Sequence, residues 1–145
     1  MKRRIAVLLA LLPLLLVLAG CTGKPPAPVL KIGKETIPYE EGTYSWRSLN
    51  RSVVADSPAP PQLVERKKPS KAAPGSVLSI VYTGKPEQIQ VTRWKRDADS
   101  PVPLEEQILD GHTFRLPDEK GTYVYSIRTE WKKGGGTYAF VIEID

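Results

Sequence analysis

One cysteine, one histidine, one methionine and two phenylalanines are all that 145 residues contain of these types. A single cysteine leaves no disulfide within the chain and no cysteine-rich metal site. The lone histidine, His112, excludes a multi-histidine zinc centre and obliges any Ser-His-Asp arrangement to be built around one residue. It sits in Asp110-Gly111-His112-Thr113 and reads as a surface turn residue. The nucleophile-elbow G-x-S-x-G, the zinc motif H-E-x-x-H, the phosphate loop G-x-x-x-x-G-K-[ST] and S-x-x-K with its partner motifs are all missing. Helical periodicity beyond about three turns is missing too, which points away from helical folds. The expectation is a protein that is not an enzyme and carries neither cofactor nor metal.

What is present begins at the first residues. Lys2, Arg3 and Arg4 precede an apolar run from Ile5 to Leu18, the basic-then-apolar order of a secretory leader. The run has 14 residues. At ~1.5 Å per residue that is about 21 Å, short of a ~30 Å hydrocarbon core, and Pro13 interrupts it. A cleaved leader fits better than a spanning helix. Leu18-Ala19-Gly20-Cys21 closes the run and resembles the lipobox of bacterial lipoproteins. That resemblance implies cleavage between Gly20 and Cys21, acylation of the Cys21 thiol (palmitate-type chains), and a domain held on the outer face of the cell membrane. Two acyl chains, at about 0.8 kcal/mol per buried CH₂, hold stably where one is marginal.

Removing residues 1–20 leaves 125, enough for one domain, with 18 Lys and Arg against 16 Asp and Glu. So small an excess gives no argument for nucleic acid. The organisation expected is a leader over 1–20, a lipidated, proline-rich tether over 21–28 that lifts the domain off the lipid, and a β domain over 29–145. In the last of these, Tyr123, Tyr125, Ile127 and Trp131 alternate with Ser126, Arg128 and Glu130, and Tyr138, Phe140, Ile142 and Ile144 repeat the period-2 pattern. The five residues Lys132 to Gly136 between them predict a hairpin loop. Ser76–Tyr82 and Gln88–Lys95 around Gly84-Lys85-Pro86 predict a second hairpin. Val29–Ile32, Thr36–Tyr39, Thr43–Trp46 and Phe114 with Leu116 are further strands, Asn50–Pro61 a long surface loop, and Pro61–Arg66 one helical turn.

Short strands at this spacing predict an all-β antiparallel sandwich. Pro117–Ile127 resembles the penultimate strand of bacterial immunoglobulin-like and fibronectin-like domains, without the paired cysteines of antibody domains. Gly42–Trp46 and Ala55–Pro61 are similar to parts of small uncharacterised lipoproteins of Bacillus-type bacteria, a group that implies no activity.

Two polar clusters invite a site. Arg93-Trp94-Lys95-Arg96 is the first: with Ile89 and Val91 inward, alternation sends Arg93 inward and Trp94 outward, where an exposed indole among cations would grip an anionic or sugar-bearing polymer. Alternatively a bulge returns Trp94 to the core. The second is the acidic set Asp97, Asp99, Glu105, Glu106 and Asp110, whose carboxylates lack EF-hand spacing and read as a solvated loop. Arg66–Lys71 reads as a solvated basic loop. The functional expectation is a membrane-anchored, extracytoplasmic binding module for an envelope protein or polymer, its partner unknown. The alternative is a small-ligand or metal-binding accessory of a transporter or receptor, and a small hydrolase is a third class.

Overall fold

The computed structural model describes residues 23–96 and 102–145. Gly20 and Cys21, with the leader before them, and Asp97 and Asp99 lie outside the described residues. The described chain forms β1 (Val29–Ile32), β2 (Glu35–Ile37), β3 (Glu40–Ser48), β4 (Arg51–Ala55), a one-turn helix α1 (Pro60–Leu63), β5 (Ser70–Ala72), β6 (Val77–Val81), β7 (Gln88–Lys95), β8 (Glu105–Ile108), β9 (Thr113–Arg115), β10 (Gly121–Trp131) and β11 (Gly134–Ile144).

These strands make two packed sheets, the all-β sandwich that the alternation predicts. The smaller has the order β2-β1-β6-β9; the larger runs β4-β3-β11-β10-β7-β8. All their pairings are antiparallel except that of β5, which lies parallel to the end of β11 at Ile142–Ile144, beyond the stretch that β3 covers. Leu30, Ile37, Leu78, Ile80 and Phe114 of the smaller sheet face Ile89, Val91, Tyr123, Tyr125, Ile127, Phe140, Ile142 and Ile144 of the larger. Period-2 alternation puts each of these on one face of its strand. Tyr125 stacks on Phe140 at 5.4 Å between centroids and tilts against Phe114 at 5.6 Å.

The larger sheet is buried on both faces along part of its length. Val124, Ala139, Val141 and Trp94 point away from the main core and meet Val64 and Leu63, which α1 and its following residue bring over them. This second, smaller core explains why β10 is buried almost continuously from Tyr123 to Ile127.

Several expectations need correction. The loop between the last two strands is Lys132-Lys133 alone, because Gly134, Gly135 and Gly136 pair with Trp46, Ser45 and Tyr44. Gly134, at φ +144°, has no room for a side chain: a Cβ there would stand 2.0 Å from the Ser45 carbonyl oxygen. β6 and β7 are no hairpin. Each needs its apolar face on the same core, so they sit in opposite sheets, and the Tyr82–Glu87 connection crosses between them. Within Asn50–Pro61, residues 51–55 are the edge strand β4, paired with β3 from Tyr44↔Ala55 to Ser48↔Arg51. Within Arg66–Lys71, Ser70 and Lys71 belong to β5, and Lys71 pairs with Asp145 at 2.7 Å.

The proline-rich segment is docked on the sandwich from Gly23 on and is no free spacer over that stretch. Pro25 and Pro28 are buried. The Tyr138 hydroxyl donates to the Pro26 carbonyl at 3.1 Å, and the Tyr39 hydroxyl to that of Pro28 at 2.9 Å. Lys24 pairs with Glu41 at 2.9 Å and lies over the Tyr44 ring. Gly136 makes the room, since a Cβ there would come within 3.1 Å of both the Pro25 ring and the Tyr138 hydroxyl.

Candidate functional site

The outer face of the larger sheet changes character along its strands. Register sets Thr137, Arg128, Gln90 and Ile108 in one cross-strand row, and Ala139, Ser126, Thr92 and Glu106 in the next. The row after that, Val141, Val124 and Trp94, is apolar. Between Gly136↔Tyr44 and Tyr138↔Glu41 the β3 ladder shifts register, so Gly42 and Thr43 together oppose Thr137. The bulge adds Thr43 to the first row.

A strap formed by Ser57 to Lys67 crosses the apolar row; beside it Ala139, Ser126 and Thr92 are buried, while Gln90, Thr137 and Arg128 of the first row are half-buried or exposed. The strap is pinned at both ends. The Ser57 amide donates to Thr43 Oγ1 at 3.2 Å, and Arg96 Nη2 donates to the carbonyls of Glu65 and Lys67 at 2.5 and 2.9 Å. Lys67 also pairs with Glu40. Gly42 lets the strap approach, because a Cβ there would meet Ser57 Oγ at 3.2 Å and Leu63 at 3.5 Å.

The result is a trough made of two contiguous hollows. One, of about 300 Å³, lies between the strap and the sheet and is lined by Thr43, Gln90, Thr92, Glu106, Ser126 and Arg128, with Trp94 and Leu63 at its closed end. The other, of about 270 Å³, shares Thr43, Arg128 and Thr137 and continues past Tyr44 and Glu130 towards the β3–β4 hairpin. Arg128 Nε donates to Glu130 Oε1 at 2.9 Å, and both side chains are well exposed. An exposed pair of this kind contributes at most about 1 kcal/mol, so either member exchanges readily onto a ligand.

The cluster Arg93-Trp94-Lys95-Arg96 does not form one surface. Alternation holds through β7 with no bulge, as its unbroken register with β10 shows. Trp94 does point outward, but the strap covers it, leaving 8% of it exposed; it is thus a core residue, as the alternative reading has it, though buried by the strap and not by a bulge, and the exposed indole is corrected. Arg93 enters the space between the sheets, 3.1 Å from Glu105 and with its guanidinium over the Tyr123 ring. Lys95 is exposed 3.7 Å from Glu119, and Arg96 is spent on the strap carbonyls.

Arg93 also stands beside Tyr125. Burial pushes the Tyr125 hydroxyl up to about 12, against the opposing pull of the Arg93 charge. The cavity next to them is only about 20 Å³, room for a water-sized molecule and no ligand. His112 is exposed in a bend, lining a separate hollow of about 300 Å³ with Lys85, Leu109 and Asp110. Glu105 and Glu106 alternate to opposite faces of β8, one on Arg93 and one in the trough. Among the described residues, no group of three or more His, Cys, Asp or Glu side chains is close enough to hold a metal ion, and no helix is long and apolar enough to cross a membrane.

Sequence reasoning missed the trough because its residues are ordinary outward positions of five strands. The signal available was the unbroken run of small polar side chains, Gln90, Thr92, Ser126 and Thr137, at positions that alternation sends to the second face. No family model, curated protein or solved structure matches the chain.

Proposed function

We propose that this chain is a lipid-anchored, extracytoplasmic binding module without catalysis, and that its trough holds a hydroxyl-rich glycan strand of the cell envelope. The observation that carries the reading is the trough itself. Its floor offers hydroxyl, carboxamide and paired-charge groups in cross-strand rows, and it is open along its length and closed on one side by an apolar wall. Neutral and singly charged hydrogen-bonding groups of that spacing suit a polyhydroxylated chain, and each hollow approaches or reaches the ~300 Å³ lower end of ligand-site volumes. Cys21, two residues before the docked segment, supports the anchor. The strand arrangement supports the immunoglobulin-like reading: β6 beside β9 in one sheet, β8-β7-β10-β11 in the other, and β5 parallel to β11.

The test is co-sedimentation of the protein with isolated envelope glycan. Gln90→Ala combined with Arg128→Ala should weaken retention at least tenfold, about 1.4 kcal/mol, roughly what one or two lost hydrogen bonds contribute. Lys31→Ala, on the smaller sheet, should leave it unchanged. Equal retention of the double variant and the parent would refute the trough as the site. The anchor is tested separately: Cys21→Ala should abolish labelling by a fatty-acid analogue and release the protein from membranes.

A further inference from the structure

The docked segment fixes where the chain's N-terminal side leaves the sandwich. From Pro28 to Gly23 its contacts advance along the larger sheet: Tyr39 and Tyr138, then Gly136 under Pro25, then Tyr44 under Lys24, then Val53, 3.6 Å from the Cβ position of Gly23. Val53 pairs with Trp46, and Trp46 with Gly134. Gly23 thus lies about three residues, or about 10 Å, from the turns that end the two neighbouring hairpins. Cys21 is two residues further on, at most about 7 Å of chain.

Those turns lie side by side, joined by the Arg47 amide donating to the Lys133 carbonyl at 2.7 Å. One carries Leu49, which is 99% exposed and the most exposed large apolar side chain among the described residues. Around it stand Arg47, Arg51, Lys132 and Lys133, all exposed and none paired with a carboxylate among the described residues. The adjoining Tyr82–Glu87 connection carries one exposed cation, Lys85, and one exposed acid, Glu87. At the far end Lys71, Lys95 and Arg115 are each paired with an acid, while Lys34 and Lys120 stand unpaired there among the described residues, but without an exposed large apolar side chain like Leu49 between them.

Resting on the lipid-anchor reading, we propose that this end is a membrane-docking surface. Arg47, Arg51, Lys132 and Lys133 meet the headgroups of anionic lipids, and Leu49 enters the interface beside the acyl chains on Cys21. A short leash keeps the cations within about a Debye length of the surface, where each contributes about a fivefold gain in partitioning. The trough runs away from that end along the sheet, so the sandwich stands upright with the trough facing sideways.

The experiment uses the lipidated mature chain, prepared from membranes and reconstituted on phosphatidylcholine vesicles with and without phosphatidylglycerol. In Leu49→Cys the new thiol is free when Cys21 is acylated, and it takes an environment-sensitive fluorophore; Lys34→Cys, in the β1–β2 turn at the far end, is the control. On anionic vesicles the fluorophore at position 49 should shift to the blue and be quenched at least threefold more by lipid-borne nitroxide than the one at position 34. Replacing Arg47, Arg51, Lys132 and Lys133 by Gln should abolish that difference. Protein that carries fatty acid and floats with the vesicles, yet reports water equally at both positions, would overturn the proposal and leave the anchor standing. Protein without fatty acid on Cys21 would instead overturn the anchor reading, and the docking proposal with it.

Discussion

Trp94 shows how far one side chain's role depends on what lies over it. Outward pointing follows from its position in β7, and the sequence pattern is sufficient for that. Burial follows from Leu63 and Val64, some thirty residues away, and no period within β7 announces it. Trp94→Ala should therefore cost about 3–5 kcal/mol in a denaturant titration, as loss of a core aromatic does. A change within about 0.5 kcal/mol, typical of surface positions, would show that the strap does not hold it. The tyrosines give a second test at this scale. Burial raises the hydroxyls of Tyr82 and Tyr125 to about 12 and those of Tyr39 and Tyr138 above their ordinary value near 10. A raised folded-state value for a group that is neutral when protonated means stability that is full below pH 10 and falls as pH climbs through 10 to 12. Ultraviolet titration should accordingly show these four ionising late, with the last of them appearing together with unfolding. Complete ionisation of all six near pH 10 in a still-folded protein would contradict this.

At the scale of elements, the strands with one buried face were legible and those with other burdens were not. β1 and β7 have the bounds that alternation predicts, and β10 contains the alternating run from Tyr123 to Trp131, because each carries at least two large apolar residues at period 2. β4, β5 and β8 are edge or short strands with few buried residues, so their sequences, R-S-V-V-A, S-K-A and E-E-Q-I, carry almost no pattern. The prolines over 25–28 lack the amide hydrogens a sheet interior needs, and these residues lie outside any strand. That they instead lie against one, through carbonyls that proline keeps, depends on the missing side chain of Gly136. Gly136→Val should expel Pro25: amide order parameters of Lys24 and Ala27 should drop from about 0.85 to below about 0.6. Unchanged values would mean that the segment is held by something other than this close approach. The hairpin loop is shorter than the glycine run suggested for a related reason, since glycine there serves backbone approach to β3 and not a turn.

For the molecule as a whole, the sandwich was readable from strand spacing, and the placement of any site was not, since sites on sheets arise from register between strands distant in sequence. Register also decides how the molecule is made. β11 pairs with β10, β3 and β5 and brings Phe140, Ile142 and Ile144 into the core, and it follows all three of them in the sequence. A chain appearing from its N-terminus leaves β3, β5 and β10 without that common neighbour until residue 144 has been made. Contacts between strands distant in sequence are the slowest to form, because the entropy of closing the intervening loop is lost before the contact rewards it. The order of synthesis thus postpones closure of the larger sheet until β11 has been made. Until then the edges of β3, β5 and β10 that β11 will pair with stay open to solvent.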